Sequence, residues 1–153
     1  MHTLVIGLGS MGYGAALSCH RAGLQTSGID LNPKARDAFT ADGGRAIDDI
    51  NAAGTVDCAL IFVINADQAE QVIFESDLLS TLSPHAVIVN CVTLAPSRAT
   101  AIAKRVAQMG FGYIDAPVSG GAAKARAGRM SIMASGHPDH FDHVKQVFDA
   151  ISE

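Results

Sequence analysis

The stretch GLGSMG, residues Gly7 to Gly12, decides the fold of this chain, and YGAALSCHRAGL follows it directly. An apolar run, LVIG at 4–7, leads into it as a strand, and a helix of small residues runs out of it from Met11 to Ala22. Glycines spaced G-x-G-x-x-G between a strand and a helix form a turn that can cradle a pyrophosphate. Gly7 permits the tight turn, and Gly9 lets backbone N–H groups approach phosphate oxygens. Gly12 removes a side chain where helix and strand nearly touch. The helix N-terminus adds unsatisfied N–H donors and a partial positive charge. An ordinary tight turn would use the same glycines. What separates the two readings is Asp30, at the end of a second strand and 18 residues beyond Gly12. A carboxylate there accepts the adenosine ribose hydroxyls and repels a 2′-phosphate, which favours NAD over NADP. Lys34 and Arg36 follow closely and soften that preference.

Outward from this loop, short β-branched runs alternate with helical patterns. Strands are expected at 4–7, 26–30, 57–64, 86–90, 112–116 and 131–135, nearly continuous in apolar residues, as in parallel strands covered on both faces. Helices are expected at 11–22, 32–40, 96–109 and 138–151, the last with Phe141, Val144, Val147, Phe148 and Ile151 on one face. This alternation predicts an α/β fold: a Rossmann-type, doubly wound, mostly parallel sheet with helices on both faces, in a single domain over 1–153.

Composition narrows the function classes. With 48% apolar and 17% charged residues and a formal charge of −4, the chain suits a globular protein. It offers no basic face for nucleic acid and no polybasic stretch for a membrane surface. Its longest apolar run, 58–64, is far short of a membrane span. The N-terminus passes from Met1-His2-Thr3 straight into the first strand, so no signal peptide is expected and the protein is read as cytoplasmic. Cys19, Cys58 and Cys91 show no C-x-x-C pairing and read as reduced, buried thiols. His137, His140 and His143 lack a companion carboxylate or cysteine at a ligand spacing, so no metal is expected.

Three later clusters fall at strand ends, where open parallel sheets place ligands. Backbone from Val63 to Asn65, in VINADQ, can pass beneath a cofactor ribose with Asn65 as a polar handle, or Asn65 or Asp67 can cap the next helix. Thr93, in NCVTLAP, can contact nicotinamide or substrate, or cap the helix beginning near Pro96. In DAPVSGGAAKARAG (115–128), Asp115 ends a strand and Pro117 fixes the chain. Ser119, Gly120 and Gly121 then expose a hydroxyl and backbone N–H groups that suit a small carboxylate; a plain glycine turn is the alternative.

With both glycine clusters in place, the chain resembles the cofactor domain of the β-hydroxyacid dehydrogenase (3-hydroxyisobutyrate dehydrogenase-like) family. IGLGSMGYGAALSCHRAGLQTSGIDLNP is similar to that family's opening, and DAPVSGG to its substrate-binding signature. The resemblance implies that Gly7, Leu8, Gly9, Ser10, Met11 and Gly12 hold the pyrophosphate and that Asp30 with Leu31 holds the adenosine ribose. It further implies that Val63, Ile64 and Asn65 line the cofactor's middle, that Thr93 lies near the nicotinamide, and that Ser119, Gly120 and Gly121 grip the substrate carboxylate. Val92-Thr93 stands where the family has a Ser-Thr pair, so one hydroxyl contact is missing.

The implied reaction moves hydride between NAD and a small hydroxy acid, with L-threonate, oxidised at its C2 hydroxyl, as the closest substrate type. Substrates of the 3-hydroxyisobutyrate or tartronate semialdehyde type, or a non-catalytic NAD-binding module, are the alternatives. The family's general base is a lysine on a helix beyond this domain, so no catalytic residue is expected within 1–153, and Lys34, Lys104, Lys124 and Lys145 do not match its context. Such a base contributes about 10² to 10⁴ in rate, and the chain alone is expected to be inactive. The family's C-terminal all-helical domain is likewise expected to be absent from 1–153, while the full-length protein is expected to be a homo-oligomer.

Overall fold

β-branched and aliphatic runs with no charge can bury both faces of a strand, and they do so here. A computed structural model describes all residues, 1–153. In chain order the elements begin β1 (His2–Ile6), α1 (Ser10–Arg21), β2 (Gln25–Ile29), α2 (Pro33–Ala41), β3 (Arg45–Ile47), a 3₁₀ turn (Ile50–Ala53), β4 (Val56–Ile61), α3 (Ala66–Glu75) and α4 (Leu78–Thr81). They continue with β5 (Leu82–Asn90), α5 (Pro96–Gln108), β6 (Gly112–Asp115), β7 (Val118–Ser119), α6 (Gly121–Arg126), β8 (Ser131–Ile132), β9 (Ser135–Gly136) and α7 (Pro138–Ile151). The main sheet has the order β3-β2-β1-β4-β5-β6-β9, with β1 to β6 parallel. The order reverses between β1 and β4, so the crevice of this Rossmann-like α/β fold opens above the ends of those two strands.

Strand alternation divides the core into two layers. Val5, Leu60, Val87, Val89 and Ile114 pack with Leu17, Val144, Val147 and Ile151 of α1 and α7. Leu4, Ile6, Ile61, Ile88 and Tyr113 pack with Ile73 and Leu78 of α3 and α4 and with Ile102 and Val106 of α5. Burial of these side chains is worth about 1.5–3 kcal/mol each for the larger aliphatics, which holds the strand ends rigid beneath the crevice.

Two expectations need correction. The run 131–135 is not one parallel strand. It splits into β8, paired antiparallel with β7, and β9, paired antiparallel with β6 through Ile114–Gly136 and Asp115–Ser135. A parallel return requires a full crossover helix, whereas the chain after β6 contains only β7 and the six-residue α6. The strand expected over 57–64 ends at Ile61, because beyond the Phe62 N–H bond to the Ile6 carbonyl (2.7 Å) the ladder stops. That leaves Val63 and Ile64 as loop above the crevice.

Candidate functional site

The three loop glycines stand in different surroundings. Gly7 has φ +96°, and a Cβ there would lie 2.3 Å from the Phe62 carbonyl oxygen. A Cβ on Gly12 would lie 1.9 Å from the Gly7 carbonyl oxygen, which no backbone tolerates. Around Gly9, by contrast, a Cβ meets nothing within 4 Å. The protein's own packing does not demand glycine there, and the space above it is open to a ligand. Gly9 is also the N-cap of α1 and has no side chain to cap it, so the first-turn N–H groups of that helix face the open space. Gly14 falls outside the G-x-G-x-x-G spacing, so no motif marks it in the sequence. A Cβ there would lie 2.5 Å from Ala125, so its absence lets α6 lie directly on α1.

Asp30 stands at the end of β2 and braces the loop. Its Oδ2 accepts the Leu8 N–H at 2.7 Å and its Oδ1 accepts the Asn32 N–H at 2.8 Å. Arg36, one of the two cations that soften the NAD preference in sequence, donates from Nη1 to the carbonyls of Asp30 (2.6 Å) and Leu31 (3.3 Å). It serves as a strut for the turn into α2, while Lys34 is exposed. Leu31 is 100% exposed and Ile64 87% exposed. They project beyond β2 and β4, the two neighbours of β1, as apolar side chains with no packing partner in the chain.

At the end of β4, the capping alternative for Asn65 is realised: its Oδ1 accepts the Gln68 N–H at 2.9 Å. Gln68 reaches back, its Oε1 accepting the Ile64 N–H at 3.0 Å, so the segment Val63–Asn65 is held from both sides. Thr93 is exposed and does not cap α5, whose N-cap Ala95 makes no side-chain bond; that alternative is overturned. The loop bearing Thr93 rests on Asn90, fully buried at the end of β5. Asn90 accepts the Val92 N–H at Oδ1 (3.3 Å) and donates from Nδ2 to the Tyr113 hydroxyl (3.0 Å). Burial pushes the Tyr113 phenol up to about 12, so it stays protonated. The only signal for this floor in the sequence is a lone Asn closing the run AVIV.

A second feature legible only in three dimensions is the ion-pair cluster beside that loop. Arg98, in the first turn of α5, bonds Asp67 and, at 2.5 Å, Glu70 of α3. Arg105 also approaches Glu70 at 3.6 Å and lies over the Phe74 ring.

Asp115 ends β6 with Oδ1 buried and unpartnered, and burial raises its pKa. Beyond it, Ser119 lies on β7, and Gly120 (φ +125°) and Gly121 (φ +72°) take conformations that side chains disfavour. All three are exposed. Of the three histidines, His137 caps α7 through the Asp139 N–H (3.3 Å) and packs against His140. No group of three or more His, Cys, Asp or Glu lies close enough to hold a metal. The three cysteines are buried, and burial pushes the Cys19 thiol up to about 12 and raises the other two well above the ordinary thiol value. No helix is long and apolar enough to cross a membrane.

Known proteins match this arrangement. A family model described as the NAD binding domain of 6-phosphogluconate dehydrogenase matches residues 3–153. An L-threonate dehydrogenase of Haemophilus influenzae is 44% identical over 149 residues, 95% of this chain and 50% of that protein. One of Escherichia coli (strain K12) is 41% identical, over 99% of this chain and 51% of that protein. A crystal structure described as 3-hydroxyisobutyrate dehydrogenase from Salmonella typhimurium superposes with a TM-score of 0.93 at 42% identity, covering 100% of this chain and 54% of that one. The chain spans about half the length of the curated relatives it matches.

Proposed function

This chain belongs to the family of NAD-binding domains typified by that of 6-phosphogluconate dehydrogenase, and from that premise we propose that it is the cofactor domain of an NAD-dependent dehydrogenase acting on L-threonate or a similar small hydroxy acid. The similarity to L-threonate dehydrogenases supports the substrate type. The name carried by the solved relative favours 3-hydroxyisobutyrate as the second reading.

The roles follow from position. The Gly7–Gly12 loop holds the pyrophosphate through the N–H groups of Gly9, Ser10, Met11 and Gly12, while Gly7 and Leu8 shape it, their own N–H groups bonded to the Ile29 carbonyl and to Asp30. Asp30 accepts the ribose hydroxyls while keeping its bond to the Leu8 N–H. Leu31 lies beside the adenosine ribose, Val63, Ile64 and Asn65 line the middle of the cofactor, and Thr93 meets the nicotinamide. Ser119, Gly120 and Gly121 bind the substrate carboxylate. When bound, NAD accepts hydride from the carbon bearing the substrate hydroxyl. We assign no catalytic residue among 1–153.

The observation that carries this reading is the open space at Gly9 beside a carboxylate already fixed to the same loop. Fluorescence titration with NADH and NADPH tests it. NADH should bind more tightly, and Asp30→Ala should narrow the difference. No NADH binding would overturn the reading, and tighter NADPH binding would overturn the role of Asp30.

A further inference from the structure

The carboxylate loop Ser119–Gly121 offers a hydroxyl and N–H groups but no cation of its own. The nearest is Lys124, one turn into α6. Its stem lies across Gly120: a Cβ built on that glycine would stand 2.8 Å from Lys124 Cδ and 2.9 Å from its Cβ. Gly120, at φ +125°, therefore leaves room for the lysine as well as exposing backbone. The ammonium lies two bonds beyond Cδ, so rotation about the last torsions sweeps it around the glycine. At present it bonds Glu153 Oε1 at 2.6 Å, an acid that Arg129 also holds at 2.8 Å. Both partners are part-exposed, so the pair is cheap to exchange for another carboxylate. Arg129 remains to neutralise the Glu153 that is left behind.

Resting on the substrate-loop reading above, we propose that Lys124 is a substrate-binding residue. In this proposal it leaves Glu153 to pair with the carboxylate of a hydroxy acid seated on Ser119–Gly121. Glu153 thus acts as an internal competitor, and acid binding is an exchange of one carboxylate for another on the same ammonium.

The test is an amide NMR titration of the NADH-saturated chain with L-threonate and, separately, with its uncharged amide. In the unaltered chain, threonate should shift the Ser119, Gly120 and Gly121 signals. Lys124→Met, which keeps the stem over Gly120, should weaken threonate about three- to fivefold, as expected for loss of one part-exposed ion pair. It should leave the amide unaffected, and Lys124→Arg should restore most of the loss. Glu153→Gln should tighten threonate by removing the competitor. Equal threonate affinity in Lys124→Met and the unaltered chain would overturn the proposal, as would equal weakening of acid and amide. If threonate leaves Ser119–Gly121 unshifted while NADH binds, the substrate-loop reading itself falls and the role of Lys124 with it.

Discussion

At the scale of single residues, a glycine can be required by the fold or by a ligand, and the loop glycines differ in what their own surroundings demand. Gly7 and Gly12 are fold glycines, since a methyl group at either meets carbonyl oxygens well inside contact distance. A Cβ on Gly9 meets nothing within 4 Å, and on the proposed reading that residue is kept small for the ligand. Gly9→Ala should therefore leave stability within about 0.5 kcal/mol of the parent while weakening NADH at least tenfold. Gly7→Ala should lose both, with a stability cost on the order of 1–3 kcal/mol from strain and overpacking. Thermal melts beside NADH titrations separate the two, and a Gly9→Ala chain that still binds NADH at full strength would contradict the assignment. Asp30 shows a related duality. The carboxylate expected to meet a ribose is already holding the Leu8 N–H, so its replacement should loosen the loop as well as remove a contact.

At the scale of elements, the site is built by fixing helix starts next to strand ends. Asn65 and Gln68 close the start of α3 immediately after the Val63–Asn65 segment. Removing that cap in Asn65→Ala should cost about 1 kcal/mol. The cost should appear as a lower denaturant midpoint with an unchanged slope, because no surface exposure is altered. The start of α5 is secured from outside, by Arg98 reaching across to Asp67 and Glu70. A cation in a helix's first turn is unfavourable to that helix's own dipole, so its value lies in tying α5 to α3 rather than in stabilising α5. The α1–α6 contact through Gly14 and Ala125 does the same on the other face, joining the helix of the glycine loop to the helix that follows Ser119.

At the scale of the whole molecule, two carboxyls on opposite ends of the sheet should shape the pH dependence of stability with opposite signs. Asp57 accepts the His2 N–H (2.8 Å) and the Ser83 hydroxyl (2.7 Å), which hold its folded pKa below the ordinary value. Its contribution is present above the unfolded value of about 4 and is lost as pH falls through the lower folded value. Asp115 is raised by burial, so its contribution is present below about 4 and lost as pH rises through the higher folded value. In denaturation at a series of pH values, Asp57→Asn should lower stability at neutral pH and converge on the parent in acid. Asp115→Asn should raise stability at neutral pH; the reverse sign in either case would refute the corresponding environment. The sequence alone determined the β-α alternation and the strand–glycine-loop–helix unit with Asp30 after its second strand, because these depend on local apolar runs and on glycine and carboxylate spacing within one β-α-β unit. It also placed Ser119–Gly121 and Thr93 at strand ends. Only the tertiary structure decided that 131–135 breaks and returns antiparallel to β6, that Asn90 and Tyr113 form the floor under Thr93, and that Lys124 lies over Gly120. Those features depend on which distant backbones meet and on how little space separates them, and no local pattern of residues encodes that.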